Sequence, residues 1–266
     1  MIKLEMQNVT LAYGHKLVVE DITLHAMPGE MVGLVGPNGS GKSTIIKALS
    51  RVISLYSGKI LLNGRNILEI PRKDLARLLG VVPQMLLLPS IFTAFEIVLM
   101  GRNPHLGLFQ YESQRDLAIA WGAMERTSTQ HLAERRINEL SGGEIQCVVI
   151  ARALTQQTEI ILLDEPTANL DISRQIEILD LIKSLCRENK MTVIAALHDL
   201  NLASQYCDQL VLINNGQVHA VGIPKEVINS TNIKAVYGAE SCVYAHPAND
   251  LPIVLPNAGH SKFTED

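Results

Sequence analysis

The stretch Met31-Val32-Gly33-Leu34-Val35-Gly36-Pro37-Asn38-Gly39-Ser40-Gly41-Lys42-Ser43-Thr44 decides the fold. Its first five residues form an apolar run that suits a short buried strand feeding a loop. The loop fits G-x-x-x-x-G-K-S from Gly36 to Ser43, and from Lys42 to Val52 the apolar spacing turns helical. Glycines let backbone N–H groups turn inward around phosphate oxygens, and the following helix aims its positive N-terminus at the same anion. Lys42 then reaches the β- and γ-phosphates of a nucleoside triphosphate. The Ser43 hydroxyl ligates Mg²⁺, and Thr44 sits at the α/β-phosphates. Chance supplies this pattern roughly 0.005 times in a chain of this composition.

The surrounding sequence reads as strands and helices in alternation. Residues 1–12 and 17–24 have strand patterning, broken at Gly14 and at Pro28-Gly29. Lys59 to Leu62 and Arg65 to Leu68 flank Asn63-Gly64, a hairpin signal. Further short strands are expected at Gly80 to Pro83, Glu159 to Leu163 and Met191 to Ala196, with a helix from Ile172 to Glu188. Leu210 to Ile213 and Gln217 to Val221 flank the turn Asn214-Asn215-Gly216. Residues 93–152 are mostly helical, interrupted at Asn103-Pro104 and Gly107, and lie between two strand-bearing regions. The expectation is an α/β fold with a mostly parallel sheet, an N-terminal antiparallel β subdomain and an inserted α-helical subdomain.

Composition agrees with this reading. Of 266 residues, 47% are hydrophobic and only 4% aromatic, so the apolar content is aliphatic, as parallel strands buried on both faces require. No apolar run approaches the ~18 residues of a spanning helix. Lys3, Glu5 and Gln7-Asn8 argue against a signal peptide at the N-terminus. A net charge of −4 gives no footprint for nucleic acid. Cys147, Cys186, Cys207 and Cys242 form no CxxC pair, which argues against structural zinc and suits a reduced compartment.

Two further motifs carry chemistry. Ile160-Ile161-Leu162-Leu163-Asp164-Glu165 is an aliphatic strand ending in two carboxylates. Asp164 at the strand end can hold Mg²⁺, and Glu165 can polarise a water for in-line attack on the γ-phosphate. Leu140-Ser141-Gly142-Gly143-Glu144 opens a helical run, and Ser141 and Glu144 stand at capping-box spacing. The two glycines cost helix stability, by about 1 kcal/mol each. Bare backbone at a helix start makes a second anion site, which suggests two sites sharing nucleotides across a dimer.

Together these pieces resemble the ATP-binding cassette ATPases over residues 1–222, in the family's order and spacing. The resemblance implies that Gln84, after Val82-Pro83, is the glutamine that senses Mg²⁺ and couples to a membrane subunit. It implies that Ser141 to Glu144 contact the γ-phosphate held by an opposite protomer. Asp164 and Glu165 become the metal-site aspartate and the catalytic glutamate. Ala168-Asn169-Leu170-Asp171 becomes the D-loop, His198 the switch histidine, and Tyr13 the aromatic stacked on adenine. Met100-Gly101-Arg102-Asn103-Pro104-His105 and His198-Asp199-Leu200-Asn201 are similar to the ATPases of importers for iron-siderophore complexes, haem and cobalamin. The chain departs from many relatives at Ile145 and Cys147, where they carry arginine.

What the resemblance implies is an ATP- and Mg²⁺-dependent homodimer at the cytoplasmic face of a membrane. It would work beneath two permease subunits and, indirectly, with a solute-binding protein. The alternative is a cassette ATPase of DNA maintenance or translation. An apolar patch at Leu86-Leu87-Leu88 and Ile91-Phe92 reads as a docking surface. Residues 223–256 form an accessory segment and 257–266 a solvated tail.

Overall fold

A computed structural model describes residues 3–84, 88–168 and 170–256. The chain begins with two long strands, β1 (Leu4–Tyr13) and β2 (Lys16–Ala26), then the buried β3 (Met31–Val35) and α1 (Lys42–Leu49). A hairpin of β4 (Ser57–Leu62) and β5 (Arg65–Asn66) leads to α2 (Arg72–Leu78) and β6 (Leu79–Val82). The helices α3 (Ala94–Leu99), α4 (Gln114–Arg126) and α5 (Gly142–Thr155) follow. Next come β7 (Ile160–Asp164), α6 (Ile172–Asn189), β8 (Thr192–Ala196) and α7 (Leu200–Tyr206). The strands β9 (Gln209–Asn214) and β10 (Gln217–Gly222) precede α8 (Pro224–Val227), α9 (Ser230–Tyr237) and a last hairpin, β11 (Ser241–Ala245) and β12 (Pro252–Pro256).

The central sheet has the order β10-β9-β3-β8-β7-β6, parallel except for β10. An antiparallel sheet, β2-β1-β4-β5, packs over one of its faces. Every residue of β3, β7 and β8 is buried. Alternate side chains serve different cores. Ile160 and Leu162 join the core of β1, β2 and α1, whereas Ile161 and Leu163 join that of α5 and α6. A strand covered on both faces has no polar side, and this is where the aliphatic composition is spent. The helices α3, α4 and α5 build a further core from Ile97, Val98, Met124 and Val148, between β6 and β7 in the chain.

Local differences from the sequence reading have local causes. The first helix ends at Leu49, not Val52, because Arg51 takes a left-handed φ of 56°. The strand after Asn63-Gly64 stops at Asn66, whose side chain accepts from the Leu68 amide at 3.0 Å and starts a short 3-10 turn. The helices α2 and α7 are additions, each too short to show helical periodicity; α7 is set by Asp199, which accepts from the amides of Asn201 and Leu202. The segment after β10 is attached to the main body. Asn201 donates to the Val254 carbonyl and accepts from its amide at 2.7 Å, and Val243 and Val254 pack on the α5–α6 core. At Ile145 and Cys147 the apolar side chains join these cores. No described helix is long and apolar enough to cross a membrane. Leu86, Leu87, Asn169 and the tail 257–266 lie outside the described residues.

Candidate nucleotide site

The loop between β3 and α1 needs its glycines for space as well as for rotation. Gly36 has φ +149°, and a Cβ there would lie 2.1 Å from the Ile213 carbonyl oxygen. At Gly41, with φ +110°, a Cβ would lie 2.6 Å from Val19. Lys42 opens α1 almost wholly buried, and its ammonium donates to the carbonyls of Gly36 at 2.8 Å and Pro37 at 2.9 Å. Burial pushes its pKa below the ordinary lysine value, opposed by the charges of Glu165 and Asp164.

Asp164 ends β7 under this loop, 4% exposed, and accepts a hydrogen bond from the Ser43 hydroxyl at 2.8 Å. Burial raises its pKa above the ordinary carboxylate value; the Ser43 bond opposes this and the neighbouring Glu165 charge adds to it. Among the described residues Asp164 has no ion-pair partner. A hydroxyl and a carboxylate oxygen on a desolvated acid are a donor set that fits a hard divalent cation. The Ser40 hydroxyl, inside the loop, is buried with no partner.

Glu165 follows with φ 53°, left-handed backbone that is uncommon outside glycine. Its amide donates to the Ala196 carbonyl at 3.1 Å, which turns the side chain away from that of Asp164 and toward the cavity. Gln84 Nε2 donates to Glu165 Oε2 at 2.7 Å, and His198 Nε2 pairs with Glu165 Oε1. Two loops thus converge on a carboxylate carried by a third. The cavity they share with the phosphate loop has a volume of about 390 Å³, lined among others by Asn38, Gly39, Ser43, Thr44 and Val18. Val18, on β2, carries no sequence signal that would have singled it out.

The remaining candidates sit elsewhere. Ser141 caps α5: its hydroxyl accepts from the Glu144 amide at 3.3 Å, and Glu144 Oε2 accepts from the Ser141 amide at 2.7 Å. Arg135 lies 3.7 Å from Glu144. Neither Ser141, Gly142, Gly143 nor Glu144 lines the cavity of its own chain. A Cβ on Gly142 would meet nothing within 4 Å, so crowding within the chain does not demand glycine there. Asp171 caps α6 by accepting from the Arg174 amide at 2.9 Å. Tyr13 ends β1, 47% exposed, and is not among the cavity's lining residues.

The phosphate loop, the acidic strand end and the capped α5 fall together in one family model, described as ABC transporter, which matches residues 19–168. The chain belongs to the ABC transporter family. It is 38% identical over 254 residues to the ferric enterobactin transport ATP-binding protein FepC of Escherichia coli (strain K12), covering 96% of this chain and 94% of that one. An inward-facing, metal-chelate type ABC transporter has a chain that matches with a TM-score of 0.83 at 27% identity, covering 96% of this chain and 98% of that one. The dimeric cassette MJ0796, in a post-hydrolysis state with ADP and Pi, matches with a TM-score of 0.74 at 27% identity over 83% of this chain and 98% of that one. ABC ATP-binding proteins hydrolyse ATP to power transport, and this chain is an ATPase of that kind.

Proposed function

We propose that two copies of this chain sandwich two Mg·ATP at the cytoplasmic face of a membrane and drive import of a metal chelate of the ferric-siderophore type, with haem and cobalamin complexes in the same class. FepC and the metal-chelate type transporter support the substrate class. The observation that carries the mechanism is the convergence of Gln84 and His198 on Glu165 beside the phosphate loop.

In this reading Lys42 leaves the carbonyls of Gly36 and Pro37 for the β- and γ-phosphate oxygens, and the amides of residues 38–44 cradle the rest. Ser43 and Asp164, with Gln84, would hold Mg²⁺, which would supply neutralisation of phosphate charge. Glu165 accepts the proton of the attacking water, and His198 and Gln84 fix that carboxylate and respond to the γ-phosphate. Ser141, Gly142, Gly143 and Glu144 of the second copy close the site, Asp171 stands at the dimer seam, and Tyr13 packs on adenine. Sharing the site accounts for a capped, glycine-bearing helix start that lies away from the nucleotide cavity of its own chain.

Two permease subunits would dock on the helical subdomain and couple to a solute-binding protein. Leu108, Phe109 and Tyr111 are 88%, 93% and 89% exposed there, and Ile91, just before it, is 72% exposed, large apolar side chains that free solvent does not favour. The Glu165→Gln variant tests the site. It should keep nucleotide binding, dimerise with ATP and Mg²⁺, and lose hydrolysis by about 10²- to 10⁴-fold. A monomeric variant that still turns over at the normal rate sinks the shared site. Cells lacking the chain should fail to grow on a ferric siderophore as sole iron source; normal growth removes the transport reading and favours a cassette ATPase of DNA maintenance or translation.

A further inference from the structure

The segment after β10 takes no part in the chemistry above, yet it grips the helix that follows His198. Its hairpin, β11 and β12, is a two-stranded sheet in which Val254 faces Val243. The outer edge of β12 meets α7. There Asn201 Oδ1 accepts from the Val254 amide at 2.7 Å, and Asn201 Nδ2 donates to the Val254 carbonyl at 3.3 Å. A carboxamide offers the same donor and acceptor as a peptide group, so this side chain stands in for one residue of a third strand. Farther along, Asn249 Nδ2 donates to Gln205 Oε1 at 2.6 Å, a second tie between the hairpin and α7.

The grip reaches His198 through a continuous run of bonds. Asp199 Oδ1 accepts from the amides of Asn201 at 2.7 Å and Leu202 at 3.0 Å, and the Asp199 carbonyl accepts from the Ala203 amide at 2.9 Å. Asp199 is thus locked to the first turn of α7, and Asn201 locks that turn to β12. On the other side of His198, the buried Leu197 donates its amide to the Leu34 carbonyl at 3.0 Å. His198 therefore stands between two anchors, one in the central sheet and one in the C-terminal segment. Its own side chain is 41% exposed while Nε2 pairs with Glu165 Oε1. A ring so exposed has little packing to hold it, and its aim depends on the backbone at either side.

Attachment alone does not account for the amide. Leu202, Val243 and Val254 already pack on the α5–α6 core, which fastens the hairpin without any polar bond. The paired bonds of Asn201 add a fixed register between β12 and the first turn of α7.

We propose that Asn201 is a positioning residue of the ATPase: by holding Val254 it fixes the first turn of α7 and, through Asp199, the backbone that aims His198 at Glu165. The effect passes through His198 and so rests on its role beside Glu165 in hydrolysis. Neither Asn201 nor Val254 lines the nucleotide cavity, so their loss acts on the chemical step more than on binding.

The test uses Asn201→Ala and Val254→Pro, each in the full chain. The first removes both bonds; the second removes the amide donor and leaves Asn201 in place. Each should lower kcat about three- to tenfold, with the KM for Mg·ATP within about twofold. Should Val254→Pro fail to fold, Asn201→Asp replaces it: a second acceptor then faces the Val254 carbonyl, and the same fall in kcat is expected. His198→Ala should lower kcat further, and Asn201→Ala should add nothing in that background, a non-additive pair. Normal turnover in His198→Ala overturns the role of His198 itself. If His198→Ala loses turnover and Asn201→Ala keeps it, that role stands and the positioning proposal is overturned, even where Asn201→Ala lowers the melting temperature, because Asn201 then only fastens the hairpin. An additive loss in the His198→Ala background, or a fall confined to one side of the Asn201–Val254 pair, overturns it likewise.

Discussion

Two buried aspartates face opposite conditions in this molecule. Asp116, in α4, is 7% exposed and accepts from Arg102 Nε at 2.8 Å, from the Ser113 hydroxyl at 2.6 Å and from its amide at 2.9 Å. These bonds, those from Ser113 first, hold its carboxyl well below the ordinary value. Asp164, 4% exposed, has one hydroxyl donor and no ion pair among the described residues, and burial pushes its carboxyl up. Arg102 is equally satisfied, donating also to the Thr155 carbonyl and to Gln157, whereas Lys42 is pulled toward its neutral form. The helical subdomain has thus spent its buried charges on holding itself together. The phosphate loop keeps its charges uncompensated, as a site must if a ligand is to supply what is missing.

Breaking the satisfied cluster should have the largest effect on stability. Arg102→Met leaves Asp116 buried without its cation and should cost about 3–5 kcal/mol in urea unfolding. Pairing it with Asp116→Leu should recover much of that loss; no recovery would mean that the ion pair is not what Arg102 provides. The pH dependence carries the sign of a depressed acid. The stability from Asp116 is complete above the unfolded pKa of about 3.9 and is lost as pH falls through the lower folded value.

The unsatisfied cluster should respond the other way. Asp164→Asn should lower hydrolysis by about 10²- to 10³-fold, the scale of losing one electrostatic stabiliser. The nucleotide-free protein should melt no lower than the parent at neutral pH, and higher if burial dominates. A raised acid contributes stability only while protonated, so that contribution is present below the ordinary carboxylate range and fades as pH rises through the folded pKa. Added Mg·ATP should raise the melting temperature of the parent and not of the variant. A large drop in stability of the nucleotide-free variant would place Asp164 with Asp116 as a structural acid and erase the contrast. The smallest effect is expected at Ser141. Ser141→Ala removes a helix cap worth about 1 kcal/mol by thermal melting. Hydrolysis measured at low protein concentration should fall further than that, because the cap also presents the helix start to the second copy.

Much of this contrast was legible in the chain. Gly36 to Ser43 announces its chemistry because backbone turning, helix start and lysine must come in one local order. Asp164 and Glu165 are readable because a buried aliphatic strand has to end where polar groups can face a cavity. Ser141 and Glu144 are readable because a capping box is local. Gln84 and His198 carry no such signal. Each is an ordinary polar residue in a loop, and only the family resemblance points to either. Arg102 stands in a stretch similar to the importer ATPases, and Asp116 carries no signal of its own, because a buried ion pair spanning fourteen positions leaves no periodic trace.

The phosphate loop, the acidic strand end, the alternation of strands and helices, and the aliphatic excess that a doubly covered sheet demands can all be read along the chain. These are local or periodic features, fixed by backbone sterics and by which faces must avoid water. The folded chain alone brings Gln84, Glu165 and His198 together, and gives Asp116 an ion pair where Asp164 has none among the described residues. The first depends on the parallel strand order, which carries residues far apart in the chain to the ends of the adjacent strands β6, β7 and β8, and the second on how α4 packs within the helical subdomain. Burial then sets their charge by distance and desolvation, neither of which is written in spacing along the sequence.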